Sequence, residues 1–287
     1  MQMNKYIRDE LKDEYGIIKL QDKILEIMLY IDSFCKENNI TYYLMGGSAL
    51  GAMRHKGFIP WDDDLDIFMP YNDYMKFLKI CETKLDKERF YLQKEDSDEL
   101  PYFFSKIRMN GTTCIDKVNI HKKNMHQGIF VDIMCLNNAA PSDFGKKIQY
   151  YSAGLLKARA NTKTEYKTDD VKKKIALLIS KVIVNGSIKK MLLSNVRKYN
   201  TNKTSEVAHL FGRAKYKNSF YKSSDFKKMR YVPFEKILLA VPNGVESYLT
   251  ARYGSKYMEM PDEKTKAIYT SHAMLWDTEK DYKFYLK

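Results

Sequence analysis

Asp64 and Asp66 are the residues whose type and spacing most directly predict chemistry in this sequence. They stand two positions apart in Asp64-Leu65-Asp66-Ile67-Phe68, where polar and apolar residues alternate. Alternation of this kind is typical of a β-strand and places both carboxylates on one face. Such close carboxylates repel each other unless a cation lies between them, and oxygen ligands suit Mg²⁺. The pair therefore predicts a divalent-cation site, with Asp62 and Asp63 as supporting carboxylates.

A glycine turn upstream of these carboxylates predicts a binding site for an anion. Gly46-Gly47-Ser48 follows the apolar run 40–45 and precedes a short predicted helix. A strand, a glycine turn and a helix N-terminus in that order offer backbone N–H groups to a phosphate. The predicted phosphate and metal sites lie within twenty residues of each other. Together they indicate phosphate chemistry.

Asp132 is a third carboxylate of interest, because Val131 and Ile133 flank it in a predicted strand. An isolated carboxylate among buried residues is costly unless it is paired or bound to metal. The alternative is an aspartate at a strand end that caps a loop. The pattern alone does not decide between the two.

The remaining pattern predicts the elements that must position these groups. Amphipathic spacing predicts helices over 17–38 and 72–85, and alternation predicts strands over 40–45, 90–93, 102–109, 112–115 and 128–134. Asn110-Gly111 is interpreted as a hairpin turn, 233–242 as a strand that returns to the sheet, and 245–252 as a helix. We expect an α/β (α+β) fold with a mixed sheet flanked by helices. The chain 1–287 is interpreted as one catalytic domain, with a core over 17–140 and 230–272 and a helical basic region over 141–229.

Composition narrows the class of protein. A hydrophobic content of 44% is ordinary for a globular chain and excludes an intrinsically disordered one. Residues 1–19 lack the apolar core of a signal peptide, and no uncharged run approaches the roughly 18 apolar residues of a membrane span. Four widely separated cysteines indicate reduced thiols. These features predict a cytoplasmic protein.

The net charge of +13 is concentrated in one region, since residues 141–200 hold fourteen Lys/Arg and four Asp/Glu. Solvated helix faces would explain scattered lysines, but this concentration favours an anionic partner, either a membrane surface or a phosphorylated acceptor. The segment 175–184 could lie on a bilayer, although a buried core helix with snorkelling lysines is the preferred interpretation. Without a nucleic-acid-binding motif, no nucleic-acid partner is predicted.

The long stretch GGSALGAMRHKGFIPWDDDLDI, residues 46–67, closely resembles the LicD family of phosphocholine transferases, which includes fukutin-related sugar-phosphate transferases. The resemblance continues in Lys106-Ile107-Arg108, in 128–133, in 234–242, at Tyr248-Leu249 and Tyr253-Gly254, and in 261–272, but residues 140–230 match little. It implies a nucleotidyltransferase-like fold in which Asp132 is the third carboxylate, acting as metal ligand or general base.

The resemblance also implies a reaction. The expected activity transfers phosphocholine, or a similar alcohol phosphate, from CDP-choline or another CDP-alcohol to a sugar hydroxyl of a cell-surface glycan or teichoic-acid precursor. CMP would leave, Mg²⁺ (or Mn²⁺) would bind Asp64, Asp66 and Asp132, and the acceptor could be lipid-linked at the inner membrane face. Two alternatives stay open: nucleotidyl transfer from a nucleoside triphosphate, and a non-catalytic basic module that binds membranes or glycans. Choline, ribitol and glycerol remain possible head groups because Ser48, Cys135-Leu136-Asn137 and Ser271-His272 depart from the family pattern.

Several further residues are candidates for substrate contact. Gly46, Gly47, Ser48 and Arg54 are expected to bind phosphate, as are Lys106 and Arg108, which share a strand face and could alternatively form a solvent-facing basic edge. Trp61 is interpreted as a packing anchor in preference to a cation–π site for choline. His55, Glu235 and His272 are weaker candidates. His121, His126, Cys114 and Cys135 fit no recognised zinc spacing, so we expect no zinc site.

Overall fold

The structure, a computed structural model, describes residues 12–116, 124–164, 166–266 and 272–286. Its helices are α1 (Ile18–Glu37), α2 (Gly46–Arg54), α3 (Tyr71–Lys84), α4 (Asp143–Asn161), α5 (Val171–Ile183), α6 (Gly186–Arg197), α7 (Val245–Tyr253) and α8 (Glu263–Lys266). Its strands are β1 (Tyr43–Leu44), β2 (Asp66–Pro70), β3 (Phe90–Gln93), β4 (Ser105–Met109), β5 (Thr113–Asp116), β6 (Phe130–Asn138), β7 (Glu206–Ala208), β8 (Phe220–Lys222), β9 (Met229–Phe234), β10 (Ile237–Pro242) and β11 (Ala273–Asp277). The predicted α/β class is confirmed.

The main sheet has the strand order β1-β2-β6-β4-β3, and within the described ranges β7 and β8 extend it from the end of β6. Strands β2 and β6 are parallel, whereas β1 with β2, β4 with β6 and β3 with β4 are antiparallel. The sheet is therefore mixed, as predicted. Its centre is the β2–β6–β4 group, and the candidate carboxylates lie on these strands or just before them.

Helices α1 and α3 hold the main sheet in position through buried side chains. Its apolar residues recur at helical spacing, and Leu20, Ile24 and Ile27 are at most 1% exposed. Tyr74 of α3 is also fully buried, and its hydroxyl hydrogen-bonds Ser105 Oγ on β4 at 2.8 Å. Each fully buried aliphatic side chain of this kind contributes about 1.5–3 kcal/mol. The central strands are thus held by packing that does not involve the candidate site.

Two predictions about strand pairing and one about the extent of a helical region are wrong. The Asn110-Gly111 turn does not make a hairpin, because β5 pairs with β11 and β4 pairs with β3 and β6. The segment 233–242 does not return to the main sheet as one strand. Instead, β9 and β10 pair with each other antiparallel around a turn at Glu235, whose φ is +51°. The region 141–229 is helical only as far as α6, after which β7 and β8 join the sheet.

Helix α5 contradicts the interpretation of 175–184 as a buried core helix. Ser180 is its buried residue, while Val171, Leu178 and Val182 are 68%, 67% and 83% exposed. Helices α4 and α6 instead supply the smaller apolar cluster, through residues such as Leu156 and Val196. Within the described ranges, no helix is both long enough and apolar enough to cross a membrane. The lysine-rich region therefore carries an apolar helix face that the fold leaves open.

Candidate active site

Asp66 and Asp132 lie side by side at the centre of the sheet. Asp66 begins β2, Asp132 is the third residue of β6, and the two are register partners in the parallel β2–β6 pair. Partners in a ladder project from the same face of the sheet. The residues on either side of Asp132, Val131 and Ile133, are fully buried, so packing fixes its backbone. The structure thus brings together two of the predicted catalytic carboxylates from segments far apart in sequence.

Asp64 joins this pair from a loop and not from a strand, because β2 begins only at Asp66. The predicted alternation persists in the loop: Asp63 and Leu65 are buried, while Asp62, Asp64 and Asp66 are partly exposed. Asp62 shares a hydrogen bond with Asp64. We call Asp62, Asp64, Asp66 and Asp132 the carboxylate cluster. Asp62, predicted as a supporting carboxylate, is therefore a direct neighbour of Asp64.

Burial and mutual repulsion make Asp62, Asp64 and Asp66 costly to ionise. Burial raises the pKa of Asp66 well above its ordinary value, and the charges of Asp64 and Asp132 raise it further. The pKa of Asp62 is likewise raised by burial and then by Asp64 and Asp66. Burial also raises the pKa of Asp64, although His272 opposes that shift. Such a site gains stability from any cation that enters it.

Two side chains already supply positive charge at opposite ends of the cluster. Lys106, the β4 register partner of Asp132, donates from Nζ to Asp132 Oδ1 at 2.5 Å. His272 Nδ1 lies 3.2 Å from Asp64 Oδ2 and 3.3 Å from Asp63 Oδ1. The hydrogen bond to Asp63 raises the pKa of His272, and the charge of Asp64 adds to the effect. The side chain of His272 is 42% exposed and thus accessible to a substrate.

Asp63 has a structural role. Its carboxylate accepts the backbone N–H of His272 at 3.0 Å and that of Ala273 at 2.8 Å. These bonds attach the start of β11 to the loop that carries the cluster. They explain why this aspartate, buried between Asp62 and Asp64, faces away from them and towards the C-terminal segment.

The predicted glycine turn lies directly against the carboxylates, where only glycine fits. A Cβ on Gly47 would stand 2.7 Å from Asp62 Oδ2, and Gly46 has a left-handed φ of +53°. Ser48 Oγ accepts the backbone N–H of Asp66 at 2.8 Å, and the Gly46 N–H donates to Tyr248 OH at 2.8 Å. The N-terminus of α2 is thus joined by hydrogen bonds to β2 through Ser48 and to α7 through Gly46.

Arg252 of α7 is a candidate that sequence reasoning missed. Burial lowers its pKa, but the hydroxyls of Tyr248 and Tyr221 outweigh this and hold it above its usual range. Its charge lowers the pKa of Asp66, so it lies close to the cluster. One guanidinium nitrogen, NH1, is buried and has no hydrogen-bond partner among the described residues. The matching Tyr248-Leu249 and Tyr253-Gly254 pairs flagged this helix, but nothing in the sequence distinguished Arg252 from a surface arginine.

Two of the predicted phosphate ligands, Arg54 and Arg108, hydrogen-bond other groups of the protein. Arg54 is at the C-terminal end of α2, roughly 12 Å along the helix from Gly46. It donates from NH1 to the carbonyls of Tyr257 and Glu259 at 3.1 and 2.9 Å. Arg108 is 1% exposed and donates to Gln93 Oε1 and the Gly128 carbonyl, both at 2.7 Å. Both arginines have structural partners, and we do not retain them as phosphate contacts.

The alternative view of Lys106 and Arg108 as a solvent-facing basic edge is wrong, because both are buried. Lys106 Nζ also lies 3.5 Å from the ring centroid of Phe130, which covers it on the apolar side. The lysine is therefore aimed at the cluster from within the sheet.

Trp61 is half-buried and packs at the edge of the core. Its ring is 6.0 Å from that of Tyr15 and 6.1 Å from that of His55, and Lys266 Nζ lies 5.0 Å from its centroid. These neighbours agree with the packing interpretation. The Trp61 ring therefore already faces a cation of the protein, the Lys266 ammonium group.

Glu235 closes the loop between α2 and the cluster. Its Oε1 accepts the N–H of Phe58 at 2.9 Å, and a Cβ on Gly57 would clash with that oxygen. The Gly57-Phe58 and Phe234-Glu235 pairs are therefore in contact, although they are far apart in sequence. Glu235 is a structural residue, not a ligand candidate.

The type of donor atom, and not ready-made geometry, distinguishes the carboxylate cluster from the zinc alternative. His126 packs against Tyr91 and hydrogen-bonds Asn110 Oδ1 at 2.9 Å, Cys114 and Cys135 are buried thiols, and His121 lies outside the described residues. Among the described residues, no three His, Cys, Asp or Glu side chains stand at ready metal-ligand spacing. At the cluster, Lys106 holds one of the carboxylates through Asp132 Oδ1. The all-oxygen donor set nevertheless suits a hard cation such as Mg²⁺.

Comparison with known proteins agrees with this geometry. The model for the LicD/FKTN/FKRP nucleotidyltransferase domain matches residues 39–148, which include α2, β2, β4, β6 and the whole carboxylate cluster. The lipopolysaccharide cholinephosphotransferase LicD of Haemophilus influenzae is 26% identical over 251 residues, covering 84% of this chain and 90% of the relative. An uncharacterized protein of Rickettsia prowazekii is 30% identical over 142 residues, covering 48% of each chain. The chain is thus homologous to a cholinephosphotransferase, and its residues 39–148 match the nucleotidyltransferase domain of the LicD family.

Proposed function

We propose that this protein transfers phosphocholine, or a similar alcohol phosphate, from a CDP-activated donor to a sugar hydroxyl of a cell-surface glycan precursor and releases CMP. The observation that carries the proposal is the carboxylate cluster, in which Asp66 and Asp132 are adjacent across two parallel strands and abut the glycine N-terminus of α2. The name of the Haemophilus influenzae relative supports phosphocholine as the group and lipopolysaccharide as the kind of acceptor.

Asp64 and Asp66 would hold Mg²⁺, with Mn²⁺ as a substitute, and Asp132 would act either as a third ligand or as the general base. When bound, such an ion neutralises charge on the donor diphosphate and on the carboxylates themselves. The raised pKa values of Asp64 and Asp66 support the assignment, because burial and neighbouring charges penalise these carboxylates until a cation is present.

The donor diphosphate would lie at the N-terminus of α2. The amides of Gly47 and Ser48 open this helix, while the Gly46 N–H is already bonded to Tyr248. We assign the buried NH1 of Arg252 to a phosphate oxygen, since a guanidinium binds phosphate strongly and this nitrogen has no protein partner in the described ranges. His272, partly exposed beside Asp64, would donate to a second oxygen.

In the general-base role, Asp132 would accept the proton of the acceptor hydroxyl. Lys106 fixes its Oδ1 at 2.5 Å, so we assign the proton to Oδ2. The acceptor oxygen attacks the phosphorus that carries the alcohol, a new P–O bond forms, and the P–O bond to CMP breaks. Positioning and charge neutralisation supply most of the rate in reactions of this type.

Trp61 bears on the identity of the donor head group. Trp61, the aromatic residue considered for choline, already faces Lys266. We therefore keep its packing role and leave the donor to be chosen by experiment among CDP-choline, CDP-ribitol and CDP-glycerol.

The deciding experiment measures CMP release from these three donors with Mg²⁺, using wild type, Asp64→Ala and the control Asp98→Ala. Asp98 is an exposed carboxylate outside the cluster. We expect metal-dependent release from one donor with wild type and Asp98→Ala, and loss with Asp64→Ala. Equal release by Asp64→Ala would contradict the assigned site.

Nucleotidyl transfer is the second candidate, because the matched domain is described as a nucleotidyltransferase. The same carboxylates would serve, but the donor would be a nucleoside triphosphate and the leaving group pyrophosphate. Pyrophosphate release from a nucleoside triphosphate, together with inactivity towards every CDP-alcohol, would establish it. Binding to glycan or membrane without metal-dependent turnover would favour a non-catalytic module.

The reaction would take place at the inner face of the membrane if the acceptor is lipid-linked. The excess of basic residues over 141–200 supports this location.

A further inference from the structure

Helix α5 turns its apolar residues away from the protein. Ser180 is the buried residue of the helix, whereas Ile175, Leu178 and Val182 are 51%, 67% and 83% exposed. Val171 and Ile179 are exposed as well, at 68% and 44%. Burial of an apolar stripe is normally what holds a helix onto a protein, so this orientation requires a different partner for the stripe.

The exposed residues form one continuous stripe. At 100° per residue, Val171, Ile175, Leu178, Ile179 and Val182 fall within an arc of about 100°. Ser180 lies on the opposite side of the helix, where α5 contacts α4. The apolar stripe therefore follows the axis of α5 and faces away from the protein along its whole length.

Lysines border this stripe on both sides. Lys172 lies on one flank, and Lys174 and Lys181 lie on the other, at the angles expected for side chains that extend to a charged surface. Lys174 also contacts Asp169 at 3.8 Å, just before the helix. Residues 171–184 include four lysines and no Asp/Glu. The charge of this surface is complementary to an anionic partner.

We propose that α5 lies flat in the headgroup layer of an anionic lipid bilayer, with its apolar stripe against the acyl chains and its lysines on the lipid phosphates. Its 13 residues extend roughly 20 Å, too short to span a bilayer but suited to lying in its interface. A second copy of the chain fits less well, because a two-fold contact on this stripe would oppose lysines to lysines. The proposal does not depend on the donor or on the reaction at the carboxylate cluster.

Vesicle co-sedimentation of the full-length protein tests this surface. Vesicles of phosphatidylcholine with about one third phosphatidylglycerol should bind the protein at least tenfold more strongly than pure phosphatidylcholine, and salt should weaken the binding. The variant Ile175→Ser/Leu178→Ser/Val182→Ser should lose at least tenfold in vesicle binding. The variant Lys172→Gln/Lys174→Gln/Lys181→Gln should lose the preference for anionic vesicles.

A matched control removes the same number of exposed apolar side chains elsewhere. Leu238, Met258 and Met274 are 58%, 45% and 53% exposed, and their triple serine variant should bind vesicles like wild type. Equal binding by wild type and the α5 serine variant would overturn the proposal. Absence of vesicle binding by the wild type would also overturn the proposal. This includes the case in which the serine variant changes only the oligomeric state.

A second measurement reports on insertion directly. The native cysteines Cys35, Cys81, Cys114 and Cys135 are buried, so a cysteine introduced on the surface can be labelled selectively. An environment-sensitive fluorophore on Leu178→Cys should shift to the blue when anionic vesicles are added, whereas the same label on Leu238→Cys should not. An unshifted label at Leu178→Cys would show that the stripe stays in water.

Discussion

Charged side chains are normally exposed and apolar ones buried, and the carboxylate cluster and the α5 stripe are opposite exceptions to this rule. The cluster gathers four carboxylates at the centre of the sheet, where burial raises the pKa of Asp62, Asp64 and Asp66. The stripe puts aliphatic side chains into water, with Val182 83% exposed. An unfavourable arrangement of either kind is a sign of binding, because a partner can remove the cost.

The two regions differ in how the fold maintains them. Strand register sets Asp66 beside Asp132, Ser48 holds the backbone of Asp66, and Lys106 binds Asp132, so these two members of the cluster are connected to the core. The α5 stripe is attached to the fold only from its other side. We therefore expect changes in the cluster to alter both function and stability, and changes in the stripe to alter binding alone.

The largest expected effect is the loss of transfer activity in Asp66→Asn. Removing a carboxylate that holds the cation should lower turnover at least about a thousandfold, the range typical of electrostatic groups in active sites. Stability should rise or stay constant, because Asn is neutral and relieves the repulsion from Asp64 and Asp132. Turnover assays and thermal melts on the same preparation check both parts. A destabilised variant would mean that Asp66 supports the fold.

Asp132→Asn should behave differently in stability although it is equally inactive. It leaves Lys106 unpaired, with a side chain only 8% exposed. Breaking a buried pair by removing one partner typically costs about 3–5 kcal/mol, and the partial exposure of Asp132 reduces our expectation to about 2–4 kcal/mol. Urea unfolding measures this loss, and Lys106→Met/Asp132→Asn should recover part of it. A single variant as stable as wild type would show that the pair contributes little.

The sequence predicted the parts of the site that local pattern encodes. Alternation around Asp64 and Asp66 identified the open face, and the glycines marked the close approach at α2. The family resemblance drew attention to Asp132 and to the segment of His272, and the structure places Asp132 beside Asp66 and His272 beside Asp64.

Long-range contacts explain what the sequence could not give. The family resemblance predicted Arg54 as a phosphate ligand, but its partners in the structure are carbonyls some two hundred residues away. Asn110-Gly111 favoured a hairpin by local turn chemistry, yet β5 found its partner in β11. For α5, apolar content was taken as burial, although content does not say which side of a helix the protein covers.

His209 sharpens the comparison, because it is a buried polar side chain that has no part in the cluster. Burial lowers its pKa to about 3, and both ring nitrogens lack hydrogen-bond partners among the described residues. A histidine with a folded pKa below the unfolded value of about 6.5 destabilises the protein as pH falls. From pH 8 to pH 5 we expect it to remove about 1–2 kcal/mol, whereas the raised pKa values in the cluster act in the opposite sense.

The matched variant is His209→Leu, which keeps the contact with Phe68, whose ring centroid is 5.0 Å away. Urea unfolding at pH 5 and pH 8 should show a smaller difference for the variant than for wild type. An unchanged difference would mean that other groups cause the acid sensitivity, and His126, with a pKa lowered to about 4, would be the next to test.

The smallest expected effect concerns folding and α5. Leu178→Ala should change the free energy of unfolding by no more than about 0.5 kcal/mol, because a side chain that is 67% exposed has little burial to lose. Leu20→Ala in α1 is the matched comparison: the same atoms are removed at 0% exposure, and the expected cost is about 2–5 kcal/mol. Urea unfolding of both variants, without lipid, measures the contrast. Similar losses in the two would mean that α5 packs against the protein in solution, and the stripe could then not be available to a bilayer without local rearrangement.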